Sequence, residues 1–546
     1  MRAYAGSKES PNPTNDANET VKTTNAASNN RRTRYAPTGG ESIASLLPVA
    51  DALEQLKSRL TDRQAYGAIL FLLAWDQRTM MPAGGGRHRA DHISLLARLA
   101  HQAATDPEVG RLLDELESTQ ALLDPESDDA GLLRLARREY TKAVRVPVEL
   151  RAEMARAASE ADPVWREAKE TSNFKLFLPL LERNVELRQK YIACFDKQDE
   201  PYDILLDDFE PEMETAEVTQ IFSEIKAELV PLIADLRDRE VDDAFLRGHF
   251  PLDKQVALDW EIVDMFGHRP DEWRIDPTEH PFASGAGNHD IRITTHYYED
   301  SLKSIFSTMH EYGHGLYEHQ IPDRISHLPI GDGCSLGLHE SQSRMWENLV
   351  GRSRPFWNFF YPRLQEVFPD QFRGVDLDRF YAAINNVQPS LIRIRADEVT
   401  YGMHVILRFE LEQDMINGRV ALKDLPEAWA AKMHEYLGVD VPDDANGVLQ
   451  DTHWASGHIG YFSTYLLGTI MSVQIWEKAA EDLGDLEDQI ERGEFVGLRE
   501  WLGENVHAHG RKFVPQETLR RATGSTIDAK PYLAYLKRKY GAPVAA

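Results

Sequence analysis

"LKSIFSTMHEYGHGL", Leu302 to Leu316, is the stretch on which the reading of this chain turns. Leu302, Ile305, Phe306, Met309 and Leu316 recur at the spacing of one helix face, which predicts a helix capped at Asp300 or Ser301. On that helix His310 and His314 lie one turn apart, so both imidazoles reach a single metal ion, and Glu311 stands beside them. The competing reading is two unrelated histidines on a helix surface. More ligands decide between the two.

A catalytic zinc takes three protein ligands and keeps one position for water. The continuation used by metzincins is absent, because Tyr317 and Gln320 stand where that pattern needs Gly and His. Glu318 lies about 12 Å along the axis from His310, too far to close the same tetrahedron. The third ligand therefore comes from another element, and "SLGLHESQSRMWENLV", Ser335 to Val350, supplies a candidate. Its Leu338, Met345, Trp346 and Leu349 fit an amphipathic helix capped by Ser335, with Glu340 placed to face the first helix. His339 and His327 compete with Glu340 for the role.

Outside these stretches helical periodicity prevails: Leu53, Leu56 and Leu60; Leu95, Leu96 and Leu99; Phe177, Leu180, Leu181 and Val185. One region departs from it. "DEWRID", Asp271 to Asp276, and the alternating "DIRITT" from Asp290 flank a Gly/Asn cluster, which predicts short strands joined by a turn just before the histidine helix. Ile291 and Ile293 share one face of the second strand; Asp290, Arg292 and Thr294 share the other. The fold class is thus mainly α, one large helical domain over residues 44–546 with a small inserted sheet. Residues 1–43 are rich in Asn, Thr and Ser and read as a disordered extension.

The 89 acidic residues outnumber the 61 basic ones, and the formal charge of −28 argues against nucleic acid and an anionic membrane surface as partners. Two cysteines, Cys194 and Cys334, are too few for a disulfide framework. No stretch reaches the ~20 apolar residues that span a bilayer, and "YFSTYLLGTIMSVQIW" from Tyr461 reads as a buried helix. With no apolar signal core near the amino terminus, a cytoplasmic location is expected.

Five segments together, "DIRITT", "HEYGH", "HESQ" from His339, "IRIRAD" from Ile392 and "GVLQDTHW" from Gly447, resemble the carboxypeptidase Taq family of metallocarboxypeptidases. The likeness extends from "LLAWDQRTMMP" near Leu72 to the carboxy-terminal helices and leaves residues 1–43 without a counterpart. It implies a helical fold with a deep groove, a divalent metal (zinc, with cobalt also used), a homodimer, and release of single residues from peptide carboxyl ends. By motif position it makes His310, His314 and Glu340 the metal ligands and Glu311 the general base.

Peptide hydrolysis asks more of the chain. An oxyanion needs donors besides the metal, and "GVLQDTHWASGHIGYFSTY" offers His453, His458, Tyr461 and Tyr465. Similarity to related helical metallopeptidases favours His453 with Tyr461 or Tyr465. A terminal carboxylate suits an arginine fork. In "SLIRIRADEVTYGMH" the spacing predicts a helix capped by Ser390, with Arg393, Asp397, Thr400 or Tyr401, and His404 forming a polar stripe. The resemblance points to Arg393 as the carboxylate's partner, against an intrahelical pair with Asp397. It also assigns Asp290 and Arg292 to closing the groove, against a plain strand salt bridge. An oligopeptidase or dipeptidase on the same scaffold, or a silent metal-binding scaffold, are the alternative functions.

Overall fold

The leucines spaced three and four apart near the start of the chain lie on the long helix Ile43–Thr79, where Ala52, Leu56 and Leu60 are buried. The computed structural model describes residues 43–120 and 123–541, so all but the last residue of the low-complexity stretch 1–43 lies outside the described residues. The chain is mainly helical, as its periodicity predicts. Phe177, Leu181 and Val185 are buried on the helix Phe174–Ile192. The helix Gly86–Ala104 forms at the Leu95–Leu96–Leu99 period but buries none of its residues, and Leu95 is largely exposed. Periodicity there fixed the helix and not its neighbour.

Two apolar cores result. The larger gathers the histidine helix, the small sheet and most carboxy-terminal helices; the smaller joins Leu56 and Leu60 to Leu112, Leu132, Ile321 and Ile325. The buried segment from Tyr461 becomes the helix Ser463–Leu483, and no helix among the described residues is long and apolar enough to cross a membrane.

The inserted sheet has three strands, β1 (Trp273–Pro277), β2 (Ala283–Gly285) and β3 (Ile291–Thr295), in the order β1-β3-β2. The Gly/Asn cluster turns β2 back antiparallel onto β3, whereas β1 runs parallel to β3 with Arg274 level with Arg292. Ile291 and Ile293 are buried, as alternation requires. Thr294, on the opposite face, is buried too, because its hydroxyl bonds the backbone of Phe282 in both directions. The Trp273 ring stacks on Tyr312 of the histidine helix at 5.3 Å, fixing sheet against helix.

Candidate metal centre

The histidine helix spans Lys303–His319 and starts without a side-chain cap: Leu302 holds the cap position, and Ser301 pairs with Tyr298 in an isolated bridge instead. Ile305, Met309, Tyr312 and Leu316 are buried. Gly313, between the two histidines, is what lets the next element approach. A Cβ there would lie 2.5 Å from the carbonyl oxygen of Gln342, inside contact distance of backbone. That neighbour is the helix Leu336–Arg344, capped as expected by Ser335, whose hydroxyl accepts from the Leu338 N–H. It widens into a π-turn at Met345–Val350, a distortion common at functional sites. On its other side Gly468 of the helix Ser463–Leu483 leaves room for Glu340, whose Cβ would sit 2.6 Å from any side chain added there.

Three ligand atoms converge where these helices meet. The Nε2 atoms of His310 and His314 stand 3.7 and 3.6 Å from Oε2 of Glu340. Those separations are too long for hydrogen bonds. They match the edge of a tetrahedron with 2.0–2.2 Å metal bonds, about 3.3–3.6 Å. The donor set and its spacing therefore fit a divalent metal ion.

The other ring nitrogens are also accounted for. Nδ1 of His310 lies 2.9 Å from Oε2 of Glu347, and a carboxylate only accepts, so Nδ1 carries the proton. Nδ1 of His314 lies 2.6 Å from Nδ1 of His339, whose Nε2 is 2.7 Å from Oε1 of Glu318. Read from the carboxylate backward, His339 donates to Glu318 and accepts from His314. Both histidines of the motif thus keep Nε2 unprotonated and facing Glu340, the arrangement that outer-shell partners impose on metal-binding imidazoles. His339 is therefore occupied orienting His314, and His327 is exposed beside the short helix Asp323–Ser326.

Charge at the centre is unevenly held. Burial opposes ionisation of Glu340, yet Arg344, 2.7 Å from its Oε1, and the imidazoles hold its carboxyl well below the usual range. Burial likewise works against Glu347, but Arg344 and His310 bring it down to about 2. Burial lowers His314 to about 3, so it stays neutral. Glu311 differs: burial raises it to about 7, and its Oε2 is buried with no hydrogen-bond partner.

Arg344 connects this centre to a second group of side chains. Its guanidinium lies 4.2 Å over the Tyr401 ring, and the Tyr401 hydroxyl accepts from Nη1 of Arg393. Arg393 is 6% exposed and lies 4.8 Å from the ring centre of Tyr465. The Tyr465 hydroxyl is 3.2 Å from Nε2 of His453, with Tyr461 packed against both rings. His458 stacks on Tyr461, farther out beside Phe209.

The segment carrying Arg393 is not the helix its spacing predicts. Residues 393–395 make one 3-10 turn, and the helix begins at Tyr401. Asp397 accepts from the N–H groups of Val399 and Thr400, so the capping side chain stands seven residues after Ser390, and the polar stripe does not form. Arg393 consequently pairs with Asp451, at 2.9 Å, which Arg408 also grips. On β3, Arg292 forks onto Asp290 with bonds of 2.7 and 2.9 Å. Arg274 forks onto Asp276 the same way, and both guanidinium groups cover Trp75, at 4.4 and 4.6 Å from its ring. Sequence reasoning passed over Trp75, Glu347 and the His339–Glu318 pair, none of which has a local signature.

Comparison with known proteins follows the same lines. Residues 55–540 match the family model described as Carboxypeptidase Taq (M32) metallopeptidase. The chain is 43% identical over 483 residues to thermostable carboxypeptidase 1 of Thermus thermophilus, covering 86% of this chain and 94% of that protein. It is 37% identical to carboxypeptidase 1 of Bacillus subtilis, covering 87% and 95%. Among solved structures, the M32 carboxypeptidase from Deinococcus radiodurans superposes with a TM-score of 0.86 at 39% identity, covering 90% of this chain and 99% of that one.

Proposed function

The chain belongs to the carboxypeptidase Taq (M32) metallopeptidase family, and we propose that it removes single residues from the free carboxyl ends of peptides with broad specificity. Hydrolysis of a peptide bond joins water to the carbonyl carbon, breaks the C–N bond and moves a proton from the water to the leaving nitrogen. His310, His314 and Glu340 would hold one divalent cation, which when bound polarises the scissile carbonyl and acidifies water. Two imidazoles and a carboxylate suit zinc, and cobalt as a substitute.

The observation that carries the proposal is the unpartnered, buried Oε2 of Glu311 beside the three converging ligand atoms. A carboxylate kept near neutrality and not engaged by any donor is free to take the water's proton and return it to the amine. His453 and the Tyr461–Tyr465 pair supply donors for the oxyanion that develops on the carbonyl. Arg393, whose Nε and Nη2 both donate to Oδ1 of Asp451, offers its remaining in-plane N–H groups on Nη1 and Nη2 to the substrate's terminal carboxylate. The Asp290–Arg292 fork, backed by Trp75, limits how far the peptide extends on the other side. The family's homodimer and a cytoplasmic location complete the proposal.

The test is a peptide with a free carboxyl end and its amidated twin, incubated with chelator, then with zinc or cobalt restored, the products read by mass spectrometry. A ladder shortened from the carboxyl end, abolished by chelator and restored by metal, is expected. In Arg393→Ala the free-acid peptide should slow at least tenfold more than the amidated one. Internal cleavage, or equal slowing of both peptides, would sink the exopeptidase reading.

A further inference from the structure

We propose that Glu272, His289 and His319 form a second site for a divalent transition metal, separate from the centre built by His310, His314 and Glu340. Among the described residues these are the two groups of histidines and acids whose ligand atoms all lie within 4.8 Å of one another. His319 ends the histidine helix five residues beyond His314, which places it about 7.5 Å farther along the axis and about 140° around it. The three side chains arrive from different elements: Glu272 just before β1, His289 from the turn before β3, and His319 from the helix end.

Hydrogen bonding leaves one buried oxygen of this group without a partner. Nε2 of His289 lies 2.8 Å from Oδ1 of Asp323, so Nε2 carries a proton. Asp323 is itself held by Asn288, whose amide donates to it at 2.7 Å. Nδ1 of His289 then faces Oε1 of Glu272 at 3.0 Å. In neutral histidine that places a lone pair against a carboxylate oxygen, which only a second proton or a metal ion between them relieves. The remaining oxygen of Glu272, Oε2, is buried and has no hydrogen-bond partner, and the His319 ring stands beyond bonding reach, its Nδ1 3.6 Å away. The carbonyl of Asn288, 2.9 Å from that Nδ1, orients the ring. A carbonyl only accepts, so Nδ1 of His319 carries the proton and Nε2 is the nitrogen left for an ion, as Nδ1 is in His289. Imidazoles backed in this way by a carboxylate or a carbonyl are the outer-shell pattern of metal-ligating histidines.

The ligand set selects zinc, cobalt or nickel over magnesium or calcium, which take oxygen shells. A cavity of about 390 Å³, lined by His319 with Gly267, His268, Arg269, Gln320 and Arg499, gives solvent a way to the helix end. His289, with 52% of its side chain exposed, makes this site weaker than the first. An ion held there ties the starts of β1 and β3 to the end of the helix that carries the catalytic histidines.

The experiment is zinc uptake by the full chain, stripped with chelator and dialysed against rising free zinc, with bound metal counted by mass spectrometry. Wild type should plateau at two ions per chain, and His289→Ala and His319→Gln each at one. The isosteric Glu272→Gln should also plateau at one, which keeps the test intact should His319→Gln unfold. The paired variant His310→Ala/His314→Ala should retain one ion that His289→Ala then removes. A wild-type plateau at one ion that is lost from the paired variant overturns the proposal, as does a plateau at two in all three single variants. A single ion that survives the paired variant but not His289→Ala would instead support this site and sink the other.

Discussion

Two clusters of two histidines and a carboxylate meet on the histidine helix, and they differ in what surrounds them. At His310 and His314 the side chains are 20% and 18% exposed, each imidazole is oriented from behind, and a buried carboxylate with nothing bound to it stands alongside. At His289 and His319 one imidazole is half exposed, and the carboxylate next to it, Asp323, is taken up by His289 and Asn288. The ligand types are the same in both. On the proposed function, the difference that matters for chemistry is the unpartnered buried carboxylate of Glu311, while the ligand types alone make a place to hold an ion.

That contrast can be pressed from the strongest effect downward. Glu311→Gln should lower kcat by on the order of 10³ while leaving bound zinc unchanged. Steady-state rates beside metal counts decide this, and an unimpaired Gln variant would erase the distinction between the clusters. The same carboxylate sets a pH dependence: burial raises Glu311 to about 7, and a base works only when ionised. Activity should therefore be present on the alkaline side and fall as pH drops through and below 7, with a cation beside it moving that limb toward acid.

Next in size come the residues that orient the imidazoles. Glu347→Gln should weaken zinc at the first centre by roughly 10- to 100-fold. Asp323→Asn should weaken the second by less than about tenfold, because solvent already reaches His289 there. Competition with a chromophoric chelator measures both. Equal losses would mean that burial contributes nothing to the difference. Smallest is Gly313→Ala, where the added methyl pushes on the Gln342 backbone and should cost about 1–3 kcal/mol in denaturant melts, with zinc affinity falling in parallel. A variant that loses stability yet binds zinc normally would uncouple helix spacing from ligand spacing.

Much of this was legible before any coordinates. A helix is one-dimensional enough that His310 and His314, four residues apart, declare a shared face, and Ser335 declares where the next helix starts. Family resemblance led to Glu340, which spacing alone left level with a solvated glutamate. What escaped were relations that only tertiary packing creates. Glu347 and His339 reach the motif's histidines because two helices cross at Gly313, and Glu272, His289 and His319 are scattered through the chain with no motif between them. The helix expected around Arg393 failed for a local reason: Ser390 and Asp397 both suit a cap, and the carboxylate, able to bind two backbone N–H groups, won. Leu95, Leu96 and Leu99 show the converse, a correct period whose apolar side is only half covered, with Leu95 exposed and Leu96 and Leu99 half-buried.

Main chain pressed against main chain at Gly313 makes the interhelical distance a property of the polypeptide rather than of any rotamer. Ligands mounted on such a frame hold their bite whether or not an ion sits between them. Loading the centre then resembles dropping a bearing into a machined seat, with little conformational entropy left to lose and little heat-capacity change to record.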